Sequence, residues 1–169
     1  MSENSNPIAT INTTKGEMTI ELWKDVAPGT VDNFTKLAND GFYDGTCFHR
    51  IMAGFMIQGG DPQTKDQSLQ DLWGTGGPGH TIKAEFSDRP HVRGVISMAR
   101  SANPDSAGSQ FFICLDNANF LDGQYTAFGT LSSGDDVLGA IGDTPVEQSN
   151  SGENSKPKER IEVSSIRVS

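Results

Sequence analysis

Short apolar runs broken by Gly, Asn, Asp, Ser and Pro dominate this chain, and few are long enough to form a helix. Met18-Thr19-Ile20-Glu21-Leu22 alternates with period two, which predicts a strand with one buried face. Phe111 to Leu115 is apolar at every position, so both faces of that strand need cover: one from the core, the other from something else, a ligand included. Near the end of the chain Ile161 and Val163 are in one phase and Ile166 and Val168 in the opposite one. That break predicts a strand with a bulge or a change of register. Pro28-Gly29-Thr30 leads into Val31, Phe34, Leu37 and Ala38 at helical spacing, with Thr30 as the expected N-cap and Gly41 as the stop. A shorter helix is expected from Asp135 to Ile141, with Val137, Leu138 and Ile141 facing inward. Many short strands, two helices and no repeat period make a mainly β architecture, a closed barrel or a sandwich. Ser149 to Arg160 is polar, holds Gly152 and Pro157, and reads as a surface loop before the last strand.

A length of 169 residues suits one domain with its own core, expected over 8–169, with 1–7 as a frayed tail. The net charge of −9 is unevenly spread: between Ser101 and Ser155 there is no Lys or Arg, while Asp105, Asp116, Asp122, Asp135, Asp136, Asp143, Glu147 and Glu153 all fall there. A surface of this sign repels phosphate backbones, so nucleic acid is excluded as a partner. No run approaches the ~18 apolar residues of a membrane span, and Met1 to Pro7 lacks the pattern of a secretion signal. The chain is expected to be soluble and cytoplasmic, without a membrane partner. Cys47 and Cys114 are too few for a disulfide framework or a metal knuckle and read as reduced, buried thiols.

Several motifs fail on context. Gly74-Thr75-Gly76-Gly77-Pro78-Gly79 spells the dinucleotide fingerprint, but Pro78 removes a donor, and turn followed by strand stands where the motif needs a helix. A flexible surface loop accounts for it better. His49, His80 and His91 lack paired ligands at metal spacing, so no metal or other cofactor is expected. Ser109 does not sit in a nucleophile elbow. The Asn12 and Asn33 sequons carry no meaning without secretion.

The segment that carries chemistry is Phe48-His49-Arg50-Ile51 followed by Gly54-Phe55-Met56-Ile57-Gln58-Gly59-Gly60-Asp61. It sets one cation among large apolar side chains. Taken alone, Arg50 is as well explained by a salt bridge, with Asp61 for instance, as by a binding role. Gly108-Ser109-Gln110-Phe111-Phe112-Ile113, Phe120-Leu121-Asp122-Gly123 and the run from Tyr125 to Gly129 are aromatic-rich and uncharged near their centres, which ordinary core packing also explains.

In their order and spacing these segments resemble the cyclophilin family of peptidyl-prolyl cis–trans isomerases, over nearly the whole chain from Ile8 to Val168. The resemblance implies a closed eight-stranded antiparallel β-barrel capped by two helices. It implies rotation about Xaa-Pro bonds in proline-containing peptides and in folded or unfolded client proteins. It assigns Arg50 as the catalytic arginine, Gln58 as the residue orienting it, and Phe112, Phe55, Met56 and Leu121 as the walls of a proline pocket. Ala99, Arg100 and Ser101 would pair with the peptide backbone, Gln110 would face the residue before proline, and Phe120 and Tyr125 would complete the substrate site. Phe120 stands where many relatives have Trp, Tyr125 where many have His and Arg100 where many have Asn, a set similar to the bacterial branch. Without an indole N–H at position 120, binding of cyclosporin-type cyclic peptides is expected to be weak. A monomer is expected. The same groove without turnover would make a non-enzymatic proline-peptide-binding or chaperone module.

Overall fold

The computed structural model describes residues 6–169. Eleven strands and two helices follow one another as β1 (Ile8–Thr13), β2 (Gly16–Leu22), α1 (Pro28–Asn39), β3 (Thr46–Cys47), β4 (Arg50–Met52), β5 (Met56–Gly59), β6 (Val95–Met98), β7 (Phe111–Cys114), β8 (Ala127–Ser133), α2 (Asp135–Gly142), β9 (Val146–Gln148), β10 (Asn154–Pro157) and β11 (Glu162–Val168). Most of the expected tail, 1–5, lies outside the described residues. Its last two positions are held: Asn6 Nδ2 donates to Glu21 Oε2, and the Pro7 carbonyl accepts from Leu22 N.

Nine strands form one curled antiparallel sheet in the order β3-β11-β1-β2-β8-β6-β7-β5-β4. The expected closed eight-stranded barrel is not what the ladders describe. Among the described residues the terminal strands β3 and β4 do not pair with each other. They are successive pieces of one segment, Thr46–Met52, split at Phe48 and His49, whose backbone N–H groups turn to Ile161 and Gln58 respectively. That split adds the ninth strand.

The bulge expected in β11 is present. Asn12 faces Ser165 but Thr13 faces Val163, so one extra residue reverses the phase of the strand. Val163 and Ile166 therefore both end up buried on the inner face. Helix α1 buries Thr30, Val31, Phe34, Leu37 and Ala38, and Phe34 lies 5.3–5.8 Å from the rings of Tyr43, Phe111 and Phe128 at the centre of the main core.

Thr30 is not the N-cap. The chain enters α1 at Ala27, which has no capping side chain, and the first-turn donors are satisfied from afar: Glu85 accepts from Gly29 N (3.2 Å), Thr30 N (2.6 Å) and Thr30 Oγ1 (2.7 Å). Helix α2 forms as expected, with Leu138 and Ile141 buried.

The segment expected to be a loop, 149–160, is partly a hairpin. β9 and β10 pair antiparallel as a separate two-stranded sheet. This short ribbon turns only Ser155 fully inward and rests Val146 on the core, too few apolar positions to impose an alternating pattern, and so leaves no hydrophobic signature in the sequence.

Candidate active site

Register brings the chemistry together. Arg50 on β4 is directly opposite Gln58 on β5, Gln58 opposite Phe112 on β7, and Phe112 opposite Ser97 on β6. Cross-strand partners share a face, so one row across four strands carries a cation, an amide and an aromatic ring to the outer side of the sheet. The intervening residues Ile51, Ile57, Phe111, Ile113 and Ile96 face inward and are buried in the main core. This answers why β7 is apolar on both faces: Phe111 and Ile113 fill the core, while Phe112 and Cys114 form a second cluster with Met56, Ala118 and Leu121, flanked by Met52, Phe55, Ala99 and Tyr125. That cluster floors a cleft of about 730 Å³.

A chain of hydrogen bonds crosses the cleft. Arg50 Nη1 donates to Gln58 Oε1 (2.9 Å), Gln58 Nε2 to Gln110 Oε1 (3.0 Å), and Gln110 Nε2 to the Gly76 carbonyl (2.9 Å). The far end is anchored by Asp61, fully buried, which accepts from the backbone N–H groups of Gln63 (2.8 Å), Gly74 (2.6 Å) and Gly76 (3.1 Å). The Gly-rich loop is thus a pinned wall. Its glycine at position 76 allows a close approach, since a Cβ there would run into the Asp61 carboxylate. Asp61 is not the partner of Arg50, as its nearness in sequence had suggested. The partner is Glu153, whose carboxylate accepts from Arg50 Nε (2.8 Å) and Nη2 (2.9 Å) in a bidentate pair. The hydrogen bonds from Arg50 hold the Glu153 carboxyl down at about 2, so it stays ionised at any working pH.

Phe112 is braced on both sides. The buried His91 ring stacks on it at 6.1 Å and 18°, and Tyr125 meets it edge-on at 5.8 Å and 84°. His91 is itself held, with Nδ1 2.9 Å from Asp122 Oδ1 and Nε2 2.9 Å from Ser97 Oγ. The Asp122 carboxyl lies below the usual carboxylate range, chiefly because it accepts the His91 backbone N–H. Tyr125 is covered by the Arg100 guanidinium, 4.5 Å from the ring centroid. Arg100 makes four hydrogen bonds there, donating to the carbonyls of Gln124, Ser101 and Ala102.

Of the residues expected from sequence, Arg50, Phe55, Met56, Gln58, Ala99, Arg100, Phe112, Leu121 and Tyr125 line this one cleft. Gln110 and Ser101 line an adjoining cavity beyond Gln58, beside the Gly74–Gly79 loop. The Ser101 backbone N–H is taken by Ser106 Oγ. Phe120 stands apart on the rim, 69% exposed and 5.6 Å from Phe55. Cys47 and Cys114 are free and buried, and burial raises both thiols, Cys114 to about 12. Three residues of the site escaped the sequence: Glu153, Asp61 as loop anchor, and His91 as the support of Phe112. For Glu153 the one available signal was its place in the acidic stretch free of Lys and Arg.

Comparison with known proteins converges on one family. Residues 8–168 match the family model described as cyclophilin type peptidyl-prolyl cis-trans isomerase/CLD. A Helicobacter pylori peptidyl-prolyl cis-trans isomerase is 49% identical over 127 residues, covering 74% of this chain and 72% of its own. Peptidyl-prolyl cis-trans isomerase B of Bacillus subtilis is 50% identical over 116 residues, covering 68% and 75%. Among solved structures, a Cryptosporidium parvum cyclophilin type isomerase, crystallised in the presence of the dipeptide Ala-Pro, superposes with a TM-score of 0.85 at 31% identity, over 96% of this chain and 98% of its own.

Proposed function

This chain belongs to the cyclophilin-type peptidyl-prolyl cis–trans isomerases, and from that premise we propose how its cleft lowers the barrier to rotation about an Xaa-Pro bond. Resonance keeps the amide planar behind a barrier of ~18–20 kcal/mol. Twisting breaks the resonance and returns a lone pair to the prolyl nitrogen, which can then accept a hydrogen bond that the planar amide cannot. Arg50 supplies that donor. Its charge is permanent, and its effect falls on the twisted state more than on the planar one. A charge-assisted hydrogen bond nets ~1.5–3 kcal/mol, about one to two powers of ten in rate. The remainder comes from restraint: Phe112, Met56, Leu121 and Phe55 enclose the proline ring, while Gln110 and the backbone of Ala99, Arg100 and Ser101 hold the chain on the other side of the bond. Because the Arg100 side chain is engaged within the protein, and the Ala99 and Ser101 N–H groups already donate to the Gln110 carbonyl and Ser106 Oγ, this stretch acts through the main chain at Arg100 and the Ala99 carbonyl.

The observation that carries this mechanism is the register row Arg50–Gln58–Phe112 laid across an apolar floor. The Ala-Pro dipeptide present with the Cryptosporidium relative supports a proline-peptide substrate. Clients are proposed to be proline-bearing segments of folded or unfolded proteins, met by a monomer in the cytoplasm, a compartment that suits two unpaired thiols. The exposed Phe120 has no N–H to offer, which supports weak binding of cyclosporin-type ligands. NMR exchange on a short Xaa-Pro peptide tests the mechanism. Arg50→Ala is expected to lower the catalysed rate by about ten- to a hundredfold, and a rate equal to that of the unaltered protein overturns the role of Arg50.

A further inference from the structure

Arg50 has five N–H groups, and three are already taken within the protein. Glu153 accepts from Nε and from one N–H of Nη2, at 2.8 and 2.9 Å, and Gln58 accepts from one N–H of Nη1 at 2.9 Å. What remains is one N–H on each Nη nitrogen. The carboxylate that occupies the side of the guanidinium comes from far away in the chain, 103 residues after Arg50, on the turn between β9 and β10.

We propose that Glu153 is a positioning residue for Arg50, fixing the plane of the guanidinium so that its two free N–H groups are held toward the bound proline. The proposal rests on the catalytic role given to Arg50 above. An arginine side chain is long and loses up to ~2 kcal/mol of rotamer entropy when ordered, and a catalytic donor has to be held within roughly 0.5 Å and 10–20° of its working geometry. Gln58 alone holds one nitrogen and leaves the group free to swing about that contact. A carboxylate gripping Nε and Nη2 together removes the swing, because two parallel N–H···O bonds define a plane.

The gripping group is itself held. The Glu153 carbonyl accepts from Ser149 N (2.7 Å) and Ser155 N (3.0 Å), and Asn150 at the hairpin tip donates to Asp71 Oδ1 (2.9 Å), tying the hairpin to the 3-10 turn Gln67–Leu72. Side chains of Arg50 and Glu153 are both about one-third exposed, at 35% and 32%, so the pair sits at the open edge of the cleft where substrate enters. The hairpin therefore contributes a residue to the site and is more than a surface decoration.

The test uses the full chain and an Xaa-Pro peptide, with kcat and KM separated. Glu153→Gln keeps the size of the side chain but loses the charge-assisted fork, and is expected to lower kcat about tenfold with KM little changed. In an Arg50→Ala background the same substitution is expected to change nothing further, because the group it positions is gone. Glu147→Gln, which removes another hairpin carboxylate, leaves the rate unchanged. A structural readout runs in parallel: the Arg50 Nε–H resonance is expected to be slowly exchanging in the unaltered protein and to lose that protection in Glu153→Gln. A faster rate in Glu153→Gln would mean that the carboxylate restrains Arg50 and would overturn the proposal. So would an unchanged rate, or an equal loss in the Arg50→Ala background. If the unaltered protein fails to speed exchange at all, the catalytic assignment above has failed instead.

Discussion

His49 precedes Arg50, and its Nδ1 is cut off from solvent with no hydrogen-bond partner. Burial, with a smaller push from Arg50, lowers its pKa from 6.5 to about 4. The folded state therefore keeps the ring neutral where the unfolded chain would protonate it. Between these two values the unfolded state binds more protons, so stability falls as pH drops through that window. From pH 7 to pH 5 the loss assigned to His49 is about 2 kcal/mol at ~1.36 kcal/mol per pKa unit. Urea midpoints at both pH values check it: the difference should shrink in His49→Gln, and an unchanged difference would clear His49. In sequence Arg50 stands out as the one cation of an apolar run, and His49 beside it shows only the lack of metal-ligand partners. Their opposite fates, one neutral with its Nδ1 unpartnered, the other paired with a distant carboxylate, depend on neighbours that the local sequence does not contain.

Helix α1 shows what was and was not legible at the scale of an element. Its apolar stripe at Val31, Phe34, Leu37 and Ala38 announces the helix because period 3.6 is a local property. Its cap is not local: the carboxylate that receives the Gly29 and Thr30 N–H groups lies 55 or 56 residues on, at Glu85. Glu85→Ala is expected to cost about 1–2 kcal/mol, in the range of a lost N-cap, and so to lower Tm by roughly 2–8 °C for a chain of this size. An unaltered melting temperature would show that water replaces the carboxylate without loss. The hairpin of β9 and β10 was illegible for a related reason. Its inward positions, the buried Ser155 and the half-buried Val146, set no apolar period, so only the pairing of its two strands reveals it.

At the scale of the molecule, the −9 charge first excluded nucleic acid and then acquired a specific member. Glu153, from the stretch without Lys or Arg, is the counter-ion of Arg50. Acidic side chains flanking proline should therefore meet repulsion from the net charge of the protein as a whole, while Arg50 is paired with Glu153 and, of the other cations of the cleft, Lys156, Lys158 and Arg160 stand on its hairpin side. At low salt, peptides with Lys beside the Xaa-Pro unit are expected to have a kcat/KM several-fold above those with Glu. The difference should collapse near 1 M salt, where the Debye length is only ~3 Å. No difference at low salt would leave the charge as a contribution to solubility alone. The sequence by itself determined the strand and helix periods, the bulge in the last strand, the apolar second face of β7 and the residues of the cleft, because each depends on side-chain type at short spacing or on motifs in a set order. Tertiary structure alone decided that the sheet's two end strands come from one split segment, that Asp61 holds a loop while Glu153 holds Arg50, and that His91 supports Phe112. Those outcomes depend on strand register and on which backbone or side chain arrives beside a given residue from elsewhere in the chain, and the local sequence around Arg50 does not name a partner 103 residues away.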